Sequence, residues 1–353
     1  MSFLDDLASL PTLRSAWEAV AAKRGMAGID RVSVEDYSTG LASHLRRLSD
    51  DIASGRYRPL PVLRIRPRFL GASDRALVVP TVRDRVVQRA IADLLSPKID
   101  LHLSPACRAF RKGASARETA DDVGRWVAEG FPWVLRADVK AFFDSIRPDL
   151  LIERLEPFVD EDGLRFLERL LRQKIYDHDQ VSDMVGIAQG SPLSPLLANL
   201  YLREVDEFLC AELPHYVRYC DDLLLLAPDE AAAQAARERV EALLSPLGLT
   251  LNEAKTRVCR AEDGFTFLGF HFGPAGRGPA TKAVEALRAR LEELGGGEVL
   301  DPGELDAVYR GWTGYFGDHP ACWTASPAGL LALLRAVRPE GLEALLPRLV
   351  EAC

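Results

Sequence analysis

A chain of 353 residues, 48% hydrophobic and 27% charged, is long enough for a large core and two or three subdomains and has the composition of an ordinary soluble globular protein. It contains no run of about 18 uncharged apolar residues, which argues against a transmembrane helix, and the acidic start MSFLDDLASL lacks the order of a secretory signal, so no membrane is expected and the cytoplasm is the expected compartment. The net charge of −8 argues against a uniformly basic nucleic-acid binder, and six cysteines with no CxxC pair argue against structural zinc and a disulfide framework.

The average charge hides an asymmetry. Between Arg46 and Arg89 eleven arginines stand against four aspartates, a local charge of +7, and a second basic group follows at Arg108, Arg111, Lys112 and Arg117. A basic N-terminal third on an acidic chain suits one face meeting a polyanion; the alternative is arginines paired with acids elsewhere.

In chain order, TLRSAWEAVAAKRG reads as a helix stopping at Gly25, and VEDYSTGLASHLRRLSDDIASG as helical up to Gly55. YRPLPVLRIRP and RALVVP have strand character around a Gly-Ala-Ser-Asp turn. TVRDRVVQRAIADLLSP repeats apolar residues at a spacing of four behind the N-cap candidate Thr81. Val134 and Leu135 open a buried strand reaching Asp138; PDLLIERLEPFV and EDGLRFLERLLRQKIY fill the space to about residue 176 as helices. GIAQGSPLSPLLANLYLREVDEFL is a loop entering a helix near Pro195, HYVRY and LLLLAP flank Cys-Asp-Asp as a hairpin, and DEAAAQAARERVEALLSPLG is a helix stopping at Gly248. LTLN and TFLGFHF read as short strands, and the last 80 residues as helices broken at Gly295, Gly296 and Gly297, a C-cap and loop rather than a phosphate cradle. The middle of the chain therefore predicts an α+β layer, helices on one face of an antiparallel sheet.

Asp221 and Asp222 sit against four leucines, Leu223 to Leu226, where desolvated like charges are costly. If the strand ending in Asp138 neighbours this hairpin, three carboxylates converge. Carboxylates are ligands for Mg²⁺, and two such ions can clamp the attacking and leaving oxygens of a phosphoryl displacement. A plain turn or capping aspartate is the alternative.

The ordered set RYCDD, RADVKAFFDSI, GIAQGSPLSPLLANLYL, VVPTVRDRVVQRAI, LTLNEAKT, FTFLGFHF and YRGWTGYFG, with AWEAVAAKRGMAGIDRVSVEDY before it, resembles the reverse transcriptases of the bacterial group II intron-like lineage over nearly the whole chain. The resemblance implies a right-hand polymerase: fingers over 1–125, an antiparallel palm sheet backed by helices over 126–273 with fingers interleaving near 147–198, and a helical thumb over 274–353. It implies RNA-directed DNA synthesis from a primer with dNTPs, two Mg²⁺ ions (Mn²⁺ as substitute) held by Asp138, Asp221 and Asp222, and Lys255 as proton donor to pyrophosphate, with a solvated lysine as the alternative. Arg68, Arg75, Val139, Phe143, Gln189 and Gly190 would bind the nucleotide. The Phe143 ring would exclude a 2′-hydroxyl; ordinary core is its alternative. Phe267, Leu268, Gly269 and Phe270 would grip the primer, and Arg108, Arg111 and Lys112 would meet nucleic acid.

Several positions depart from the family pattern: Arg68 where lysine is usual, Ala188 where proline is usual, and Cys220 where alanine is commoner. With no HNH motif seen, the implied setting is prokaryotic antiviral defence, beside a CRISPR integrase acquiring spacers from RNA or as a stand-alone system, with another defence protein or a non-coding RNA as further partners. A catalytically silent maturase-like RNA-binding scaffold, the reverse transcriptase of a mobile retroelement, and another two-metal phosphoryl enzyme such as a nuclease are the rival readings.

Overall fold

Side-chain oxygens of Ser2, Ser9 and Ser33 cap the first three helices, α1 (Phe3–Ala8), α2 (Leu10–Ala22) and α3 (Val34–Ser38). The computed structural model describes residues 2–66, 77–274, 276–295 and 302–316. The helical stretch expected up to Gly55 is interrupted at Thr39 and Gly40, both weak helix formers, and α4 (Leu41–Ala53) begins after them. β1 (Val62–Ile65) and β2 (Leu77–Val79) pair antiparallel. α5 (Val82–Ile99) starts at the Thr81 cap, as its sequence predicts.

α6 (Ala116–Ala128) leads into β3 (Trp133–Asp138). The expected domain boundary at 125/126 falls inside α6, whose Ala120 and Val123 pack with Val134 and Leu224. α7 (Phe142–Ser145), α8 (Pro148–Leu155) and α9 (Glu161–Leu171) follow. The helix expected to about residue 176 ends at Leu171. A hairpin replaces its tail, β4 (Lys174–Asp177) and β5 (Gln180–Asp183), turning through His178 at φ +44° and Asp179 at φ +63°. β5 is fully exposed and β4 buries only Ile175, so no in-out alternation marks the hairpin in the sequence.

Next come α10 (Ser194–Tyr201), α11 (Arg203–Glu212), β6 (Tyr216–Tyr219), β7 (Asp222–Ala227) and α12 (Glu230–Leu244). LTLN forms no strand; Leu251 makes a single bridge to Val139. The strand that flanks β3 is instead β8 (Arg257–Arg260). TFLGFHF is two strands, β9 (Phe265–Phe267) and β10 (Phe270–Gly273), because Leu268 and Gly269 take φ +49° and +75° and reverse the chain. β11 (Gly276–Pro279), α13 (Thr281–Gly295) and α14 (Pro302–Phe316) complete the described chain.

The central sheet runs β6-β7-β3-β8, antiparallel throughout; a second sheet, β2-β1-β4-β5, contains one parallel pair, and β11-β10-β9 forms a third. Both faces of the central sheet are covered. Leu135, Ala137, Leu223 and Leu225 pack with Leu197, Leu209 and Val240 of the backing helices. Val134, Leu224 and Leu226 pack with Phe267, Phe272 and Phe316 on the other side. This double burial is why the strand reads as an unbroken leucine run.

A buried ion pair fixes the β6–β7 hairpin. Arg218 and Asp206 have no exposed side-chain surface, and the guanidinium donates to Asp206 Oδ2 at 2.6 Å and Oδ1 at 2.8 Å. Its Nη1 donates to Cys220 O at 2.9 Å, so the same cation holds the turn. Removing one partner strands the other charge. Asp206→Ala is expected to cost about 3–5 kcal/mol in urea unfolding, while a paired Asp206→Leu, Arg218→Met change restores much of that loss.

Candidate active site

β3 and β7 are in register with Asp138 opposite Asp222, and Val139 N–H donates to Asp221 O at 3.0 Å. Two apolar strands thus end side by side in aspartates. Asp138 and Asp221 line one cleft of about 1060 Å³ together with Val139, Phe143, Gln189 and Lys255.

Asp138 is 5% exposed and tethered on two sides. Lys255 Nζ lies 2.8 Å from Oδ2, and Asn252 Nδ2 donates to Oδ1 at 3.2 Å while Asn252 N–H holds Asp138 O at 2.7 Å. Asn252 lies in LTLNEAKT, but its role at the carboxylate is not legible there. Asp222 Oδ1 is buried with no hydrogen-bond partner, and Arg136 Nη2 approaches it at 3.6 Å. Burial pushes the Asp222 carboxyl above its usual range; Arg136 opposes this, and the charges of Asp221 and Asp138 reinforce it. In the two-residue turn, Cys220 takes φ +62°, a place that favours glycine.

An under-neutralised group of carboxylates with an orphaned buried oxygen fits a divalent cation. Among the described residues no three acidic, histidine or cysteine side chains form a ready-made cage.

Around the carboxylates the chain is pinned by close backbone contacts. Ala141 at φ +45° turns β3 into α7, which carries Phe143. Ile187 N–H donates to Phe143 O at 2.9 Å, and Gly186, at φ +73°, approaches so closely that a Cβ would lie 2.1 Å from that oxygen. Val78 N–H donates to Gln189 O at 2.9 Å, and a Cβ on Gly190 would lie 2.5 Å from Val78 O. The loop at 186–190 is therefore fastened to α7 at one end and to β2 at the other.

Some expected site residues have other roles. Val139 N–H donates to Asp221 O and Lys140 N–H to Thr250 O, so neither amide stands open to a triphosphate. Phe267 and Phe270 are each 1% exposed, because strand alternation turns both rings into the core; only the Leu268–Gly269 turn can present itself, and Tyr315 Oη donates to Leu268 O at 2.9 Å. Arg111 donates to the carbonyls of Asp100, Ser104 and Cys107, and Arg108 pairs with Asp122 at 2.7 Å, so both expected nucleic-acid contacts already have partners within the chain; Lys112 is exposed. Arg64 and Arg66 share Asp177 at 3.3 and 3.5 Å and line the cleft. Arg68 and Arg75 lie outside the described residues.

Residues 71–272 match the model of the family described as "Reverse transcriptase (RNA-dependent DNA polymerase)". "Protein YkfC" of Escherichia coli (strain K12) is 28% identical over 292 residues, covering 69% of this chain and 74% of that protein. "Group II intron-encoded protein LtrA" of Lactococcus lactis subsp. cremoris is 26% identical over 183 residues, 50% of this chain and 30% of that protein, so the match spans under a third of the intron protein. A telomerase structure from Candida albicans overlays with a TM-score of 0.50 at 14% identity, covering 90% of this chain and 60% of that one, a likeness of fold.

The raised Asp222 carboxyl has a consequence for stability. Between the unfolded value near 3.8 and the raised folded value, the native state binds more protons than the unfolded one, so stability falls as pH rises through that window. Asp222→Asn is therefore expected to raise the Tm of chelator-treated protein at pH 7 by about 1–3 °C, measured calorimetrically. Mg²⁺ should stabilise the wild type more than this variant.

Proposed function

This chain belongs to the reverse transcriptase (RNA-dependent DNA polymerase) family, with the α+β polymerase fold, and on that premise we propose that it extends a primer 3′-hydroxyl with dNTPs along an RNA template by two-metal-ion catalysis. The observation that carries the proposal is the register of β3 on β7, which puts Asp138, Asp221 and Asp222 at one sheet end beside a cleft large enough for a nucleotide. Two Mg²⁺ ions held by Asp138 and Asp221, with Asp222 beside them, would activate the 3′-hydroxyl and neutralise charge on the phosphates.

The chain's own groups supply positioning. Asn252 and Lys255 fix the orientation of Asp138. Lys255, whose Nζ lies 2.8 Å from Asp138 Oδ2, is the proposed proton donor to leaving pyrophosphate. The Phe143 ring, its backbone clamped by Ile187, would close the space that a ribose 2′-hydroxyl requires. Gln189 and Gly190 would form the wall against the base pair, and the Leu268–Gly269 backbone would meet the primer. In this reading β1, β2, β4 and β5 belong to the fingers, the central sheet is the palm, and α13 and α14 begin the thumb.

Antiviral defence is the biological setting we favour, on the family resemblance alone. Sequencing of cellular DNA copied by the wild type but not by a catalytic variant tests it: phage- or spacer-derived products support it, and intron-derived products point to a mobile element.

Primer extension tests the activity. The Asp221→Ala, Asp222→Ala double variant is expected to lose at least about 10³-fold in rate. An unchanged rate in a clean preparation removes the polymerase reading, and a wild type without extension favours a silent scaffold. Phe143→Ala is expected to lower discrimination against ribonucleotides about tenfold or more, read from single-nucleotide incorporation.

A further inference from the structure

Phe110 combines three properties that ordinary packing does not produce together. It is 56% exposed, it lines the same cleft as Asp138 and Gln189, and its backbone takes φ +60°. A bulky residue in that backbone region is strained and persists only where its surroundings hold it there.

Its surroundings do so. Buried Asn199 donates from Nδ2 to Ala109 O at 2.8 Å, on the residue just before Phe110. Arg111, just after it, reaches back to Ser104 O at 2.9 Å and Asp100 O at 3.1 Å. The loop is also zipped to β6, with Arg108 N–H to Arg218 O and Arg218 N–H to Ala106 O, both at 2.9 Å. Two arginines expected on a nucleic-acid surface thus brace a loop that presents an aromatic ring.

Sheet order separates the two flanks of the carboxylates. At the β8 side stand Lys255 and Asn252, donors suited to phosphate. At the β6 side stands Phe110, with Arg108 and Arg111 turned to Asp122 and to backbone carbonyls. An exposed ring on a braced loop, beside arginines that already have partners, suits the face of a nucleobase, not a phosphate. We propose that Phe110 is a stacking platform for an unpaired base of the single-stranded template next to the catalytic aspartates. The proposal rests on the polymerase reading and deepens it by assigning the template side of the cleft.

A DNA primer on an RNA template carrying 2-aminopurine at the first unpaired position tests it, with the Asp221→Ala, Asp222→Ala variant as a non-extending background. Stacking is expected to quench the fluorescence with Phe110 and with Phe110→Trp. Phe110→Ala and Phe110→Leu should release the quench and weaken overhang binding about 5- to 100-fold, with blunt duplex binding unchanged. Phe110→Gly should lose the quench while keeping or raising the Tm, because the strain is relieved; a structural role predicts a lower Tm. Quenching and overhang affinity unchanged in Phe110→Ala, or kept in Phe110→Leu, overturn the proposal. Phe110-dependent quenching in a wild type that extends no primer would remove the polymerase reading and leave the stacking assignment standing.

Discussion

A guanidinium cut off from water keeps its charge only if a partner and several acceptors come with it, and Arg218 meets that requirement from four directions. Asp206 on α11 supplies the counter-charge, Asn199 Oδ1 on α10 accepts at 3.2 Å, Cys220 O accepts from the turn, and Cys107 Sγ lies at 3.1 Å from the loop before Phe110. Tyr216 Oη adds a further bond to Asp206 at 2.7 Å. Apolar side chains of the same volume would fill this space with little loss of stability. They would lose the direction of the bond to Cys220 O, which sets where Asp221 and Asp222 emerge. The aspartate turn, the helix after the glutamine-glycine loop and the Phe110 loop all answer to one cation.

The site built on that support is locally unfavourable. Three carboxylates share a sheet end, Asp222 has an orphaned oxygen, and Cys220, Ala141 and Phe110 have left-handed backbones. Each cost is of the kind that concentrates where a protein meets its ligands. Lys255 and Asn252 partly offset the charge at Asp138, so the carboxylate is oriented before any ligand arrives.

What the sequence discloses follows burial. The strands of the central sheet end in aspartates after apolar runs, and the hairpin with its Cys-Asp turn is legible because β7 is buried on both faces. The β4–β5 hairpin is not, since Ile175 is its one buried residue and its turn uses His178 and Asp179 rather than asparagine and glycine. Phe267 and Phe270 carry a family motif, yet the motif cannot say that the rings point inward and the turn outward. Part of the arginine pattern is set at long range: Arg64 and Arg66 meet Asp177, more than a hundred positions later, while lining the cleft, and Arg111 meets carbonyls, which no spacing rule reveals. Gly186 is visible as a residue, but its reason, a carbonyl 2.1 Å from where a methyl would stand, exists only in three dimensions.

The loop from Gly186 to Gly190 joins two bodies by single backbone bonds, Val78 to Gln189 on one side and Ile187 to Phe143 on the other. Such a strut transmits displacement. If the β1–β2 hairpin swings inward on a ligand, the Gln189 carbonyl travels with it, and the pull arrives at the peptide of Phe143 through only two intervening residues. A displacement at β2 would therefore be felt at the Phe143 peptide, and a side chain added at Gly186 or Gly190 would strain one of the two bonds that hold the strut.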